Sequence, residues 1–114
     1  MKKTALFVFN GDPMCFIHVL LNALDLQSKG HEVRIVVEGA ATKLLPSLNQ
    51  ADNPLYGLWQ KTKNAGLVEG ACKACSQKMG TAGAAGSQGL ALIDDMIGHP
   101  GMAPYLEKGF NVIT

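Results

Sequence analysis

The sequence predicts a single α/β domain over residues 1–114. Its expected core is a five-stranded parallel sheet in the flavodoxin-like order 2-1-3-4-5, with helices on both faces. Three observations carry that expectation. Thr4 to Phe9 is an almost unbroken apolar run, which suits a strand covered on both sides. From Met14 to Lys29, Ile17, Leu20, Leu21 and Leu24 fall at helical spacing. Glu32 to Val37 then reads as a second strand, which completes a strand–helix–strand unit with a right-handed crossover.

Each element has a local cause. Asn10-Gly11-Asp12-Pro13 is a turn in which Asp12 caps the first helix and Pro13 occupies its first position. Gly30 stops that helix, with Lys29 complementing its C-terminal dipole. Gly39 ends the second strand, and Ala40 to Leu48 reads as a short helix interrupted near Pro46. Asn53-Pro54 opens another helix, capped by Asn53 and running to Gly66. Leu67 to Ala74 is the third strand, weakened by Gly70, and a helix is expected from Ser76. Gly80, Gly83, Gly86 and Gly89 recur at every third residue, which points to a thin helix face against a neighbour or to irregular chain. Leu90 to Ile93 is the fourth strand. His99-Pro100 opens a helix to Lys108, and Phe110 to Thr114 is the last strand.

Composition removes several classes of function. Of 114 residues, 47% are hydrophobic and 17% charged, an ordinary globular balance at the length of one domain. The net charge of +1 lacks the basic excess of a nucleic-acid binder. No apolar stretch reaches the ~18 residues of a membrane helix, and Ala5 to Phe9 is too short for a secretory leader. A cytoplasmic location is expected. Three cysteines, an odd number, argue against a disulfide framework and leave thiol chemistry open. Neither a dinucleotide fingerprint, a P-loop nor a nucleophile elbow occurs.

In an open α/β sheet, ligands bind beyond the carboxyl ends of the strands, which selects the residues to weigh. Cys75 falls at the end of the third strand, immediately before a helix, where N–H groups and the helix dipole favour a thiolate. Ser76 follows it. Cys72 completes a Cys-x-x-Cys, but inside a strand residues three apart point to opposite faces. Cys72 is therefore expected in the core. Cys15 repeats the position of Cys75 at the first strand-to-helix turn. If the first and third strands are neighbours, its sulfur should share a rim with Cys75 within roughly 10 Å. Asp94, Asp95 and His99 lie beyond the fourth strand, with the aspartates expected as caps. Cys72, Cys75 and His99 together would suit zinc, but no second Cys-x-x-Cys completes the set, and no metal or cofactor is expected.

The apolar first strand, the long first helix, Gly30-His-Glu-Val-Arg-Ile-Val-Val-Glu-Gly39 and the Ala74-Cys75 strand ending together resemble the DsrE/DsrF-like family. The segment Leu92 to Thr114 is similar to that family's C-terminus. The resemblance implies a sulfur carrier or sulfurtransferase. Cys75 would hold sulfane sulfur as a persulfide, between donor and acceptor proteins, in a homo-oligomer such as a trimer or hexamer. Cys15, His99 and Ser76 would be accessory. Two alternatives stand beside it: a small-molecule or metal-binding module using Cys15, Cys75 and His99, and an inactive structural subunit of such an oligomer.

Overall fold

A computed structural model describes residues 1–114. The first apolar run forms β1 (Lys3–Val8), whose alternate residues serve two cores. Leu6 and Val8 join the larger one with Val33, Ile35, Phe16, Leu20 and Trp59. Ala5 and Phe7 face the other side, packing with Val36 and Phe110. Helix α1 (Pro13–Ser28) begins as expected: the Asp12 carboxylate accepts the Met14 N–H at 2.9 Å. Gly30, at φ 84°, turns the chain into β2 (Glu32–Val37).

A 3-10 segment (Gly39–Leu44) runs into α2 (Leu45–Leu48), and α3 (Tyr56–Asn64) buries Trp59. Asn53 forms a turn with Leu55 ahead of α3 and does not cap it. Strand β3 (Val68–Cys72) leads into α4 (Lys73–Lys78) and α5 (Ala82–Ser87). Strand β4 is Leu92–Ile93, α6 is Ala103–Glu107 and β5 is Asn111–Ile113.

All five strands are parallel and form one sheet with helices on both faces, a flavodoxin-like arrangement. The order within it is β4-β3-β2-β1-β5, not the expected 2-1-3-4-5. The winding reverses after β4 and not after β2. Strand β2, whose Ile35, Val36 and Val37 are buried against both helix layers, pairs with β1 on one edge and β3 on the other. The free edge of β1 is filled by β5. The brief β4 and β5 take the edges. The crossovers from β1 to β4 advance one strand at a time, and the last connection returns to pair β5 with β1.

Two local expectations are corrected. Gly83 and Gly86 have nothing within 4 Å of where a Cβ would stand, so no neighbour requires a thin face there. Gly80 and Gly89, at φ 73° and 77°, simply end α4 and α5. His99-Pro100 opens no helix, because α6 starts only at Ala103. Gly70, by contrast, is a contact. A Cβ there would lie 2.5 Å from the Ala91 carbonyl oxygen, the group that accepts the Ala71 N–H at 2.9 Å. The missing side chain lets β4 approach β3.

Candidate functional site

The site begins where β3 becomes α4. Cys72 is the last residue of the strand and also the N-cap of the helix. Its Sγ accepts the Cys75 N–H at 3.3 Å, a sulfur taking the place of the usual capping oxygen. The strand-phase expectation for Cys72 fails at this point. Because the backbone turns helical after Cys72, residues 72 and 75 stand one helical turn apart on the same side. Cys72 is buried, as expected, yet it faces Cys75.

His99 arrives from the loop after β4. Met96 and His99 exchange backbone hydrogen bonds of 2.7 and 3.0 Å around Ile97 and Gly98. Both central residues have positive φ, 49° and 88°, the signature of a type I′ turn. The Gly98 carbonyl accepts the Ala74 N–H at 2.9 Å, which docks the turn on the start of α4. His99 Nδ1 then lies 3.1 Å from Cys72 Sγ and 3.8 Å from Cys75 Sγ. The ligand atoms of the three residues all lie within 4.8 Å of one another.

The two thiols differ in environment. Burial pushes the Cys72 thiol up to about 11, against the opposing pull of the Cys75 N–H. Cys72 therefore holds its proton at neutral pH and can donate it to Nδ1. Cys75 is half-buried and reachable from solvent. Glu38, at the carboxyl end of the central strand, is only 6% exposed. Burial raises its carboxyl above the ordinary range, His99 lowers it, and Asp95 raises it again. A buried carboxyl group thus sits in the electrostatic field of the site.

The remaining candidates separate. Asp94 pairs with Lys73 at 3.4 Å, and Asp95 accepts the Gly101 N–H at 3.2 and 3.3 Å, so both hold the loop. Ser76 is buried, and its hydroxyl has no hydrogen-bond partner. Cys15 is exposed and lines a different cavity of about 430 Å³ with Phe7, Val8, Phe9, Asn10, Val19 and Thr114. The crevice expected between β1 and β3 does not exist, since β2 lies between them. Sequence reasoning missed Glu38 and the alignment of Cys72 with Cys75. A cysteine three residues ahead of another at a strand–helix junction fits an N-cap pattern, which was the available signal.

No family model matches the chain. An uncharacterized protein of Archaeoglobus fulgidus is 44% identical over 41 residues, spanning 36% of this chain and 67% of that protein. A conserved protein of unknown function from Bacteroides thetaiotaomicron, BT1422, has the same fold, with a TM-score of 0.73 at 19% identity over 98% of this chain and 93% of that one. Uncharacterized protein MJ0733 of Methanocaldococcus jannaschii is 32% identical over 97 residues, spanning 85% of this chain and 77% of that protein. On that identity and coverage, the chain belongs to the family of protein MJ0733 of Methanocaldococcus jannaschii.

Proposed function

We propose that this protein carries sulfane sulfur on Cys75, as the resemblance to the DsrE/DsrF-like family implies. The observation that supports it most is the pairing of an accessible thiol with a buried one around a single imidazole nitrogen. In the loading step the Cys75 thiolate attacks the outer sulfur of a donor persulfide. The donor's S–S bond breaks, a new S–S bond forms on Cys75, and the donor leaves as a thiolate. His99 Nδ1, 3.8 Å from Cys75 Sγ, is the base within reach of the thiol proton. Passing the sulfur to an acceptor thiolate is the same exchange in reverse, and no net oxidation occurs.

Cys72, one helical turn from Cys75, suits the role of a resolving thiol. Giving its proton to His99 Nδ1, 3.1 Å away, Cys72 would attack Cys75 Sγ, expel hydrosulfide and leave a Cys72–Cys75 disulfide, which an external dithiol must reduce. One helical turn between the residues meets the ~7 Å Cα limit for a disulfide. Donor and acceptor proteins and a homo-oligomer belong to this proposal, and exposed Leu106 on α6 and Ile113 on β5 are apolar surface that assembly would cover. No helix is long and apolar enough to cross a membrane. The three free cysteines fit the reducing cytoplasm.

Mass spectrometry after incubation with a small persulfide donor tests the proposal. One extra sulfur on Cys75 is expected, lost in Cys75→Ser and longer-lived in Cys72→Ser. Sulfur that still loads onto Cys75→Ser at the wild-type level would overturn it.

A further inference from the structure

We propose that Cys72, Cys75 and His99 form a three-ligand site for a zinc-like divalent metal ion, with the fourth coordination position left to solvent or an incoming ligand. Two thiolates and an imidazole are the donor chemistry that zinc favours. The spacing fits as well as the chemistry. Zinc–sulfur and zinc–nitrogen bonds of about 2.3 and 2.05 Å at a tetrahedral angle separate sulfur from nitrogen by ~3.5 Å and sulfur from sulfur by ~3.8 Å. The two sulfur-to-Nδ1 distances, 3.1 and 3.8 Å, bracket the first value, and no pair of ligand atoms exceeds 4.8 Å. The sulfur-to-nitrogen distances need shifts of a few tenths of an ångström, and the two sulfurs, held within 4.8 Å, close by up to about 1 Å to complete the geometry.

The surroundings match what a metal thiolate needs. The Cys75 N–H already points at Cys72 Sγ, a supporting hydrogen bond of the kind that orients and stabilises a ligating sulfur. The type I′ turn, docked on α4 through the Ala74–Gly98 hydrogen bond, holds His99 in place. Cys72 closes the inner side of the site, whereas Cys75 and His99 are only half-buried, so a fourth ligand can enter from outside. Binding the divalent ion displaces both thiol protons to solvent and oxidises nothing. A metal held in this way occupies the sulfur that would carry the persulfide, so the metal-bound and sulfur-loaded forms exclude each other.

Cobalt(II) is the probe, because it reports thiolate ligation and tetrahedral geometry in its absorption spectrum. The full-length protein, stripped with a chelator and kept reduced by a phosphine, is titrated with cobalt(II) and then with zinc(II), in the absence of any sulfur donor. One equivalent of cobalt is expected to give thiolate-to-metal charge-transfer bands and intense tetrahedral d–d bands, both erased by one equivalent of zinc. Cys75→Ser, at a half-buried position that tolerates the change, should weaken binding at least about tenfold. His99→Ala should do the same, while Cys15→Ser should bind as the wild type. Absence of thiolate bands, or bands unchanged in both Cys75→Ser and His99→Ala, overturns the site. Sulfur loading is measured separately on metal-free protein, so either proposal can fail alone.

Discussion

Ile97 is the most informative residue to replace. It occupies the first central position of the turn that delivers His99, at φ 49°, and is 97% exposed. A β-branched side chain in the left-handed region costs roughly 1–2 kcal/mol, and an exposed side chain recovers none of it by packing. Asn-Gly is the pair that a type I′ turn prefers, and Gly98 already supplies the second half. Ile97→Asn should therefore stabilise the fold by about 1–2 kcal/mol. With an unfolding entropy of about 2.1 cal/mol/K per residue over 114 residues, each kcal/mol raises Tm by about 4 °C. Thermal unfolding followed by circular dichroism should then show a rise of ~4–8 °C. Ile97→Ala, which keeps a Cβ in the left-handed region without asparagine's tolerance for it, should gain much less. A Tm for Ile97→Asn equal to or below the wild type would refute the reasoning and mean that the isoleucine makes stabilising contacts unrelated to turn strain.

Other expectations follow from single contacts. Gly70→Ala should destabilise by about 2–4 kcal/mol in urea unfolding, because its Cβ meets the Ala91 carbonyl and strains the β3–β4 ladder. Unfolding indistinguishable from the wild type would show that β4 yields freely. Ser76→Ala should stabilise by about 1 kcal/mol in the same assay, since the buried hydroxyl has no partner; a loss would mean that the hydroxyl is satisfied in solution. For Glu38, the carboxyl group is raised in the folded state from its ordinary 4.5. As pH rises past that value the unfolded chain gives up its proton first, so this contribution to stability is present at low pH and declines as pH climbs through the raised value. Glu38→Gln should remove that decline, and parallel pH profiles for the two proteins would contradict the burial argument. Leu20→Ala, at the centre of the α1 interface, should cost about 2–5 kcal/mol by denaturant unfolding.

Much of the architecture was legible in residue order, because local signals cause it. The run Thr4 to Phe9, the Asp12-Pro13 cap, the spacing of Leu20 and Leu24 and the stop at Gly30 all act within a few residues, and the structure follows them. Parallel strands and helices on both faces follow from alternating elements. Cys75 and His99 were also recognisable, since the strand ends at which they lie are set by those local patterns. The strand order was not, because it depends on which strand edges pair, β2 with β3 and β1 with β5, and those long-range pairings are encoded by no local pattern. Nor was the inclusion of Cys72. Its direction turns on the residue at which β3 gives way to α4, a shift of two residues that moves a side chain from strand geometry to a helix cap. Bringing His99 to within 3.1 Å of that sulfur further requires the Ile97-Gly98 turn to rest on α4. Separated by 27 positions, Cys72 and His99 meet only when the whole sheet has formed, so the thiols and the imidazole were visible singly in the sequence and as one site only in the fold.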